Sequence, residues 1–373
     1  MKNILFFIRS LNAGGAERQL VVTAKGLTER GHPVTVLTFY SGGFYADELK
    51  ESKVQLLSLN KKGRWDLFAF LFRLRQVLRK ISPDVIYSFM GFANILTVAI
   101  RPFIPATKLV WGVRASNMDL DQYDWLSRWS YWLECRLSRF ADTIIANSNA
   151  GLEYAVWHGF PREKMLVIPN GIDTERFKPD RSAGKELRQQ WGVTEDEVLI
   201  GLVGRIDPMK GHPIFLDAAA LLKKENSNVR FVCVGVGDVV YERAMRQLAT
   251  DLGLDDVLIW AGRHAYMLAV YNAFDIASSS SYGEGFPNVI GEAMACGVPC
   301  VVTDVGDSTL VVGEAGSIIP SKDSQALFSA WVDMLDLDKA ELCELSLLVR
   351  EHIDTKFSID RLISETEKSL EEV

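Results

Sequence analysis

The sequence predicts an α/β protein made of two doubly wound parallel sheets in tandem, and three observations carry that prediction. Short apolar strings alternate with stretches of helical period, the rhythm of βαβ units with helices on both faces of a sheet. That rhythm stops at a stretch rich in Pro, Gly and charge and then restarts. The 373 residues also exceed the usual single-domain size of roughly 100 to 200 residues.

In the first half the strings are ILFFI at 4–8, VTVLTF at 34–39, VIYSF at 85–89, LVWGV at 109–113 and TIIANS at 143–148. The first helix is expected from about Ala16 to Arg30, with Leu20, Val21, Ala24 and Leu27 on one side and Gly31 placed to end it. The segment IPNGIDTERFKPDRSAG makes a linker near residues 170–185. A second set follows with VLIGLVG at 198–204, VRFVCVG at 229–235, VLIWAG at 257–262, DIASSS at 275–280 and PCVVTD at 299–304. The last stretch, about 337–372, follows SIIP and has a helical pattern. The expected division is a Rossmann-like domain over 1–172, a second over 173–355 and a C-terminal helix over 356–373 that crosses back to the first domain. Such sheets bind ligands at the carboxyl ends of their strands, so two in tandem predict a cleft between two sets of strand ends.

Composition narrows the function classes. With 48% hydrophobic and 24% charged residues the chain reads as globular, and a net charge of −7 gives nucleic acid no general attraction. The five cysteines, Cys135, Cys233, Cys296, Cys300 and Cys343, are scattered and mostly in apolar strings, which reads as reduced core thiols. Neither they nor any His pair show metal-ligand spacing. The N-terminal apolar run ends at Arg9, too short for a signal peptide, and no later run approaches the roughly 20 residues of a membrane span. The expected location is the cytoplasm.

Three constellations carry chemistry. After the first strand, SLNAGGAE places Gly14 and Gly15 where a helix begins. Free amides there suit a phosphate, and a plain strand-to-helix turn explains the glycines equally well. In VGRIDPMKGHPIF, Arg205 and Lys210 stand five residues apart between a strand and a helix that begins near His212. Two cations above the strand ends can neutralise a leaving diphosphate, or they can be a solvated pair. The string SSSSYGEGFPNVIGEAMACGVPCVVTD runs from strand through a Gly-rich loop into a helix, with Pro287 suited to its first turn and Gly297 to its end. Glu284 then lies in the loop and Glu292 about a turn into the helix, where carboxylates can hold sugar hydroxyls; capping or surface roles are the alternative.

Other nucleotide signatures are missing. GVGD at 235–238 has Val240 where a dinucleotide fingerprint needs its third glycine, and the Gly184–Lys185 pair is followed by Glu186 rather than Ser or Thr. An NAD-dependent oxidoreductase and a P-loop hydrolase are thereby disfavoured.

Taken together, GGAE, Arg205 followed five residues later by Lys210, and EGFPNVIGE resemble the retaining family-4 glycosyltransferases of the GT-B fold, and the resemblance spans essentially the whole chain. It implies that Arg205 and Lys210 bind the donor diphosphate and that Glu284 and Glu292 bind the donor sugar and the ribose. It further implies contacts from the loop around Gly285, Phe286, Asn288 and Val289, a nucleobase border at Arg263, and an approach of Gly14 and Gly15 to the diphosphate from an acceptor-side first domain. No metal or other cofactor is implied. Many members carry a His where this chain reads Arg114 in WGVRASN; an Arg there suits either a pyrophosphate contact with acceptor or donor, or a structural role. The leading donor by resemblance is UDP-N-acetylhexosamine, and the acceptor a glycan or lipid-linked glycan.

The segment 61–80, KKGRWDLFAFLFRLRQVLRK, carries seven basic residues and one acidic, with Trp65, Phe68, Leu71, Phe72 and Leu78 interleaved. It reads as a basic amphipathic helix that lies on the inner face of a membrane, or as one that packs on the sheet with a basic solvent face. The aromatics of 124–140 read as core or as an acceptor-side groove. The competing functions are an epimerase or phosphorylase on the same fold, and a non-catalytic protein that binds a nucleotide sugar or a membrane.

Overall fold

The structure, a computed structural model, describes residues 1–63, 66–114 and 125–373, the side chain of Leu67 excepted. The chain forms two compact units: Met1–Gly171 with Ile359–Val373, and Ile172–Ser358. The sequence placed these changes of unit at 172/173 and 355/356.

The first unit holds seven parallel strands: β1 (Ile4–Ile8), β2 (Val34–Thr38), β3 (Gln55–Ser58), β4 (Val85–Phe89), β5 (Lys108–Val113), β6 (Thr143–Ala146) and β7 (Met165–Val167). Their order is β3-β2-β1-β4-β5-β6-β7, so the sheet changes its direction of growth between β1 and β4. β1, β2 and β4 are buried along their whole length, which is why their sequences are unbroken apolar runs. The edge strands β3 and β7 were not read from the sequence. They are four and three residues long, and the edge position leaves β3 partly open, which removes the continuous apolar signal.

The helix Gly15–Glu29 buries Leu20, Val21, Ala24 and Leu27 against this sheet. The C-terminal pattern resolves into two helices, Lys339–Lys356 and Ile359–Glu372, broken at Phe357. The second packs Leu362, Ile363 and Leu370 into the core of the first unit. Its polar side is tied by Arg30 to Asp360 (2.5 Å) and Glu367 (2.7 Å), and by His32 Nε2 to Glu367 (2.9 Å).

The segment 61–80 enters a helix only at Leu67–Ile81. Phe70, Leu74 and Leu78 turn inward while Phe68 and Phe72 stay exposed, so Leu78 belongs to the core rather than to an outer apolar face. Arg64 and Trp65 lie outside the described residues. In the helix Trp125–Leu137 the inward residues are Glu134 and Cys135, and Trp125, Trp129 and Trp132 are exposed, so these three are not core.

The second unit holds six parallel strands: β8 (Val198–Val203), β9 (Val229–Val234), β10 (Leu258–Gly262), β11 (Ile276–Ser279), β12 (Cys300–Thr303) and β13 (Ser317–Ile319), in the order β10-β9-β8-β11-β12-β13. Its switch of direction falls between β8 and β11. Four cysteines are buried, whereas Cys343 is exposed, so the reading of core thiols holds for four of the five. Among the described residues no helix is long and apolar enough to cross a membrane.

Candidate active site

Ligands of doubly wound sheets sit outside the strand ends at the switch of direction. In the second unit that point brings together the loops after β8 and β11. The first carries Gly204 to Lys210, closed by the single turn Pro208–Lys210 before the helix His212–Glu225. The second carries Ser280 to Pro287 before the helix Asn288–Ala295.

The two loops are laced by backbone and hydroxyl bonds. Tyr282 N donates to Met209 O (2.8 Å), and Ser280 Oγ donates to the carbonyls of Lys210 (3.1 Å) and Gly211 (3.0 Å). Gly211 has φ +63, and a Cβ there would collide with the Ser280 carbonyl, so this crossing admits glycine only. Glu284 is held on the other side, where the backbone of Gly306 (φ +57) approaches its carbonyl too closely for a side chain.

Within this frame Lys210 Nζ donates to Glu284 Oε1 over 2.6 Å, and Ser281 Oγ donates to the same oxygen over 2.6 Å. Both ion-pair partners are largely buried, their side chains 22% and 11% exposed. Arg205 is different: its side chain is 79% exposed, and among the described residues its one ion pair is a loose 3.5 Å contact with Asp207. The first helical residue after Gly211, His212, is fully buried; burial first, and the Lys210 cation second, push its imidazole down to about 4, so it is neutral.

Glu292 lies one turn into its helix, almost fully buried, and accepts from Tyr271 Oη at 2.7 Å. Phe286 is also buried, its ring 5.4 Å from that of Phe357, so it is a core side chain and only backbone is offered at that position. Pro287 caps the helix from just outside rather than occupying its first turn. Asn288 and Val289 begin the helix and are partly exposed, as is Gly285, whose carbonyl accepts from Asp307 N at 3.0 Å. Arg263 is exposed beyond the end of β10, two strands from β8.

In the first unit, a cavity of about 560 Å³ opens at the switch between β1 and β4. Arg9, Asn12, Glu17, Tyr40, Met90 and Phe92 are among its lining residues. Asn12 and Glu17 fall within the SLNAGGAE turn, whereas nothing in the sequence marked Arg9, Tyr40, Met90 or Phe92 as site residues. The Glu17 carboxylate lies against Gly14, in the space a Cβ would fill. An anion already faces the start of the helix Gly15–Glu29, and a phosphate bound there would have to displace it. Arg114 donates to Asn170 Oδ1 (2.7 Å), and its guanidinium lies 5.0 Å from the Phe89 ring centre, beside the cavity wall.

Among the described residues one group has the spread of a metal site, His32 with Glu367 and Glu371. It belongs to the first unit, and Arg30 and His32 already engage Glu367 there.

Comparison with known proteins gives these features a family. A model described as Glycosyltransferase Family 4 matches residues 13–176, and one described as Glycosyl transferases group 1 matches residues 197–336. The chain is 25% identical to the EpsF protein of Bacillus subtilis over 81% of its own length and 79% of that protein's. It is 30% identical to the lipopolysaccharide core biosynthesis mannosyltransferase LpsB of Rhizobium meliloti over 62% of its length and 65% of that protein's. Among solved structures, Alr3699/HepE of Anabaena, in complex with UDP, superposes with a TM-score of 0.84 at 25% identity, with all of both chains covered. The same protein is also solved with UDP-glucose. The two units and these matches define a glycosyltransferase built on the GT-B fold. More narrowly, the chain belongs to the family-4 glycosyltransferases.

Proposed function

We propose that this glycosyltransferase moves a sugar from a nucleoside diphosphate sugar to a glycan or lipid-linked glycan, with retention of anomeric configuration and without a metal. The observation that carries the proposal is the meeting of Lys210 and Glu284 at the switch point of the second sheet, with Arg205 in the same loop as Lys210. Lys210, held by Glu284 and Ser281, is a pre-organised cation for the β-phosphate, and exposed Arg205 is free to fold onto the same group. Glu284 and Glu292 accept hydroxyls of the sugar and ribose. The anomeric carbon–oxygen bond to the diphosphate breaks as the bond to the acceptor oxygen forms, and the acceptor proton passes to the leaving phosphate. The buried, neutral His212 adds no second cation below Lys210.

The leading donor is UDP-N-acetylhexosamine. The UDP complex of HepE supports the uridine, and its UDP-glucose complex favours a plain hexose as the second reading. Arg114, beside the cavity of the first unit, is assigned to a phosphate of the acceptor. Contact of 61–80 with the inner face of a membrane accords with the exposed Phe68 and Phe72.

A thermal-shift panel tests this reading with UDP, GDP, ADP and their common sugars, with and without a chelator. A ligand at 100 times its Kd adds about 2.7 kcal/mol of stability. A chelator-insensitive shift with uridine ligands alone supports the proposal; no shift with any nucleotide contradicts it.

A further inference from the structure

The helix Trp125–Leu137 exposes tryptophans at positions 125, 129 and 132, a spacing of four and three residues that sets all three on one face. Their exposures of 76%, 51% and 51% are those of rings standing in water, where a soluble surface has little use for three indoles in a row.

Among the described residues of this helix and of the turn that follows it, the exposed charges have one sign. Arg128, Arg136 and Arg139 are exposed, and Arg136 lies 5.4 Å from the Trp132 ring centre. The single acid of this helix, Glu134, points inward, where it accepts from Asn94 Nδ2 (2.7 Å) and the Gly91 amide (3.1 Å). Arg101 ties the carbonyl of neighbouring Phe140 and pairs with Asp142. The next residues along the unit continue the pattern: Phe103 is exposed with the Arg75 guanidinium 4.6 Å from its ring centre, and Arg75 belongs to the helix that exposes Phe68 and Phe72.

We infer that the tryptophan face of Trp125–Leu137 is a docking surface for an anionic lipid bilayer, a second element beside 61–80. Indole suits the boundary between headgroups and acyl chains because its ring is apolar and its N–H polar. The arginines supply attraction to anionic headgroups. A second copy of the chain is a poor occupant, because a two-fold interface through this face would bring the arginines of one copy toward those of the other with no exposed acid of this helix to pair them.

The inference goes beyond the proposed donor chemistry and is read independently of it. The full chain is floated with vesicles of phosphatidylcholine alone and of phosphatidylcholine mixed with phosphatidylglycerol, and tryptophan emission is followed with brominated acyl chains as quencher. Binding that needs phosphatidylglycerol, weakens with salt and brings quenching is expected. Arg128→Gln with Arg136→Gln should lower binding to the anionic vesicles by roughly fivefold per arginine. Trp129→Ala with Trp132→Ala should abolish most of the quenching. Both variants should keep the wild-type melting temperature and the UDP-induced shift without vesicles, so loss of docking stays separate from misfolding and from failure of the donor reading. Equal binding by wild type and both variants, no binding of wild type to anionic vesicles, or a change of oligomeric state in the variants overturns the inference.

Discussion

Lys210 and Glu284, 74 residues apart in the chain, meet at 2.6 Å where the loops after β8 and β11 cross. Ser281 shares the same carboxylate oxygen, so Glu284 is fixed from two sides and fixes Lys210 in turn. Arg205, five residues before Lys210, has no comparable restraint. The two cations should therefore differ in their structural cost. Lys210→Ala leaves a mostly buried carboxylate with one of its two side-chain partners and should destabilise the fold by about 1–3 kcal/mol. Arg205→Ala should leave stability unchanged. Urea unfolding of both variants checks this difference, and equal stabilities would contradict it.

The crossing itself depends on Gly211. At φ +63 against the Ser280 carbonyl, an alanine meets both backbone strain and a clash, so Gly211→Ala should cost about 1–3 kcal/mol or more and move Lys210 off its partner. Expected is a lower melting temperature together with a weaker UDP-induced shift. A variant with wild-type melting would show that the crossing is looser than described.

The buried bond from Tyr271 to Glu292 sets the carboxylate assigned to the ribose. Tyr271→Phe should lower stability by about 1 kcal/mol and raise KM for the donor more than it lowers kcat. A large fall in kcat at unchanged KM would remove Glu292 from donor binding.

Two buried groups give opposite dependences on pH. Burial pushes the Glu134 carboxyl from 4.5 up to about 7 against the bonds from Asn94 and Gly91. Its folded pKa is raised, so its contribution of about 3 kcal/mol is complete below 4.5 and is lost as pH rises through 7. His212 is pushed from 6.5 down to about 4, so its contribution is present above 6.5 and lost as pH falls through 4. Wild type should lose stability relative to Glu134→Gln between about pH 5 and about pH 8. Relative to His212→Gln, wild type should lose stability toward acid. Parallel profiles for wild type and either variant would contradict the corresponding assignment.

Much of this site was legible because each loop carries its chemistry within a few residues. Arg205, Lys210, Glu284 and Glu292 stand out by residue type just past strings that read as strands. Their pairing was not legible, since it depends on β8 lying beside β11, a neighbour relation that local periodicity does not encode. Side-chain direction was also hidden. Phe286 sits in a glycine-rich loop yet packs on Phe357 from the break between the two C-terminal helices, and Glu17 turns back over the very glycine whose open amide suggested a phosphate. The cavity of the first unit escaped notice for a similar reason: Tyr40 and Met90 are ordinary residues that strand order brings together, and Met90 itself adopts φ +64, a conformation its residue type does not announce.

The central claim is that Lys210 and Arg205 carry the charge of a departing diphosphate without help from a metal. Initial rates of transfer from a UDP-sugar in the presence of EDTA, for wild type, Lys210→Ala and Arg205→Ala, test it most directly. The account predicts undiminished wild-type turnover in EDTA and losses of about 10²- to 10³-fold in kcat for each folded variant. Near-normal turnover in both variants, or a wild type silenced by EDTA and restored by a divalent cation, would contradict it.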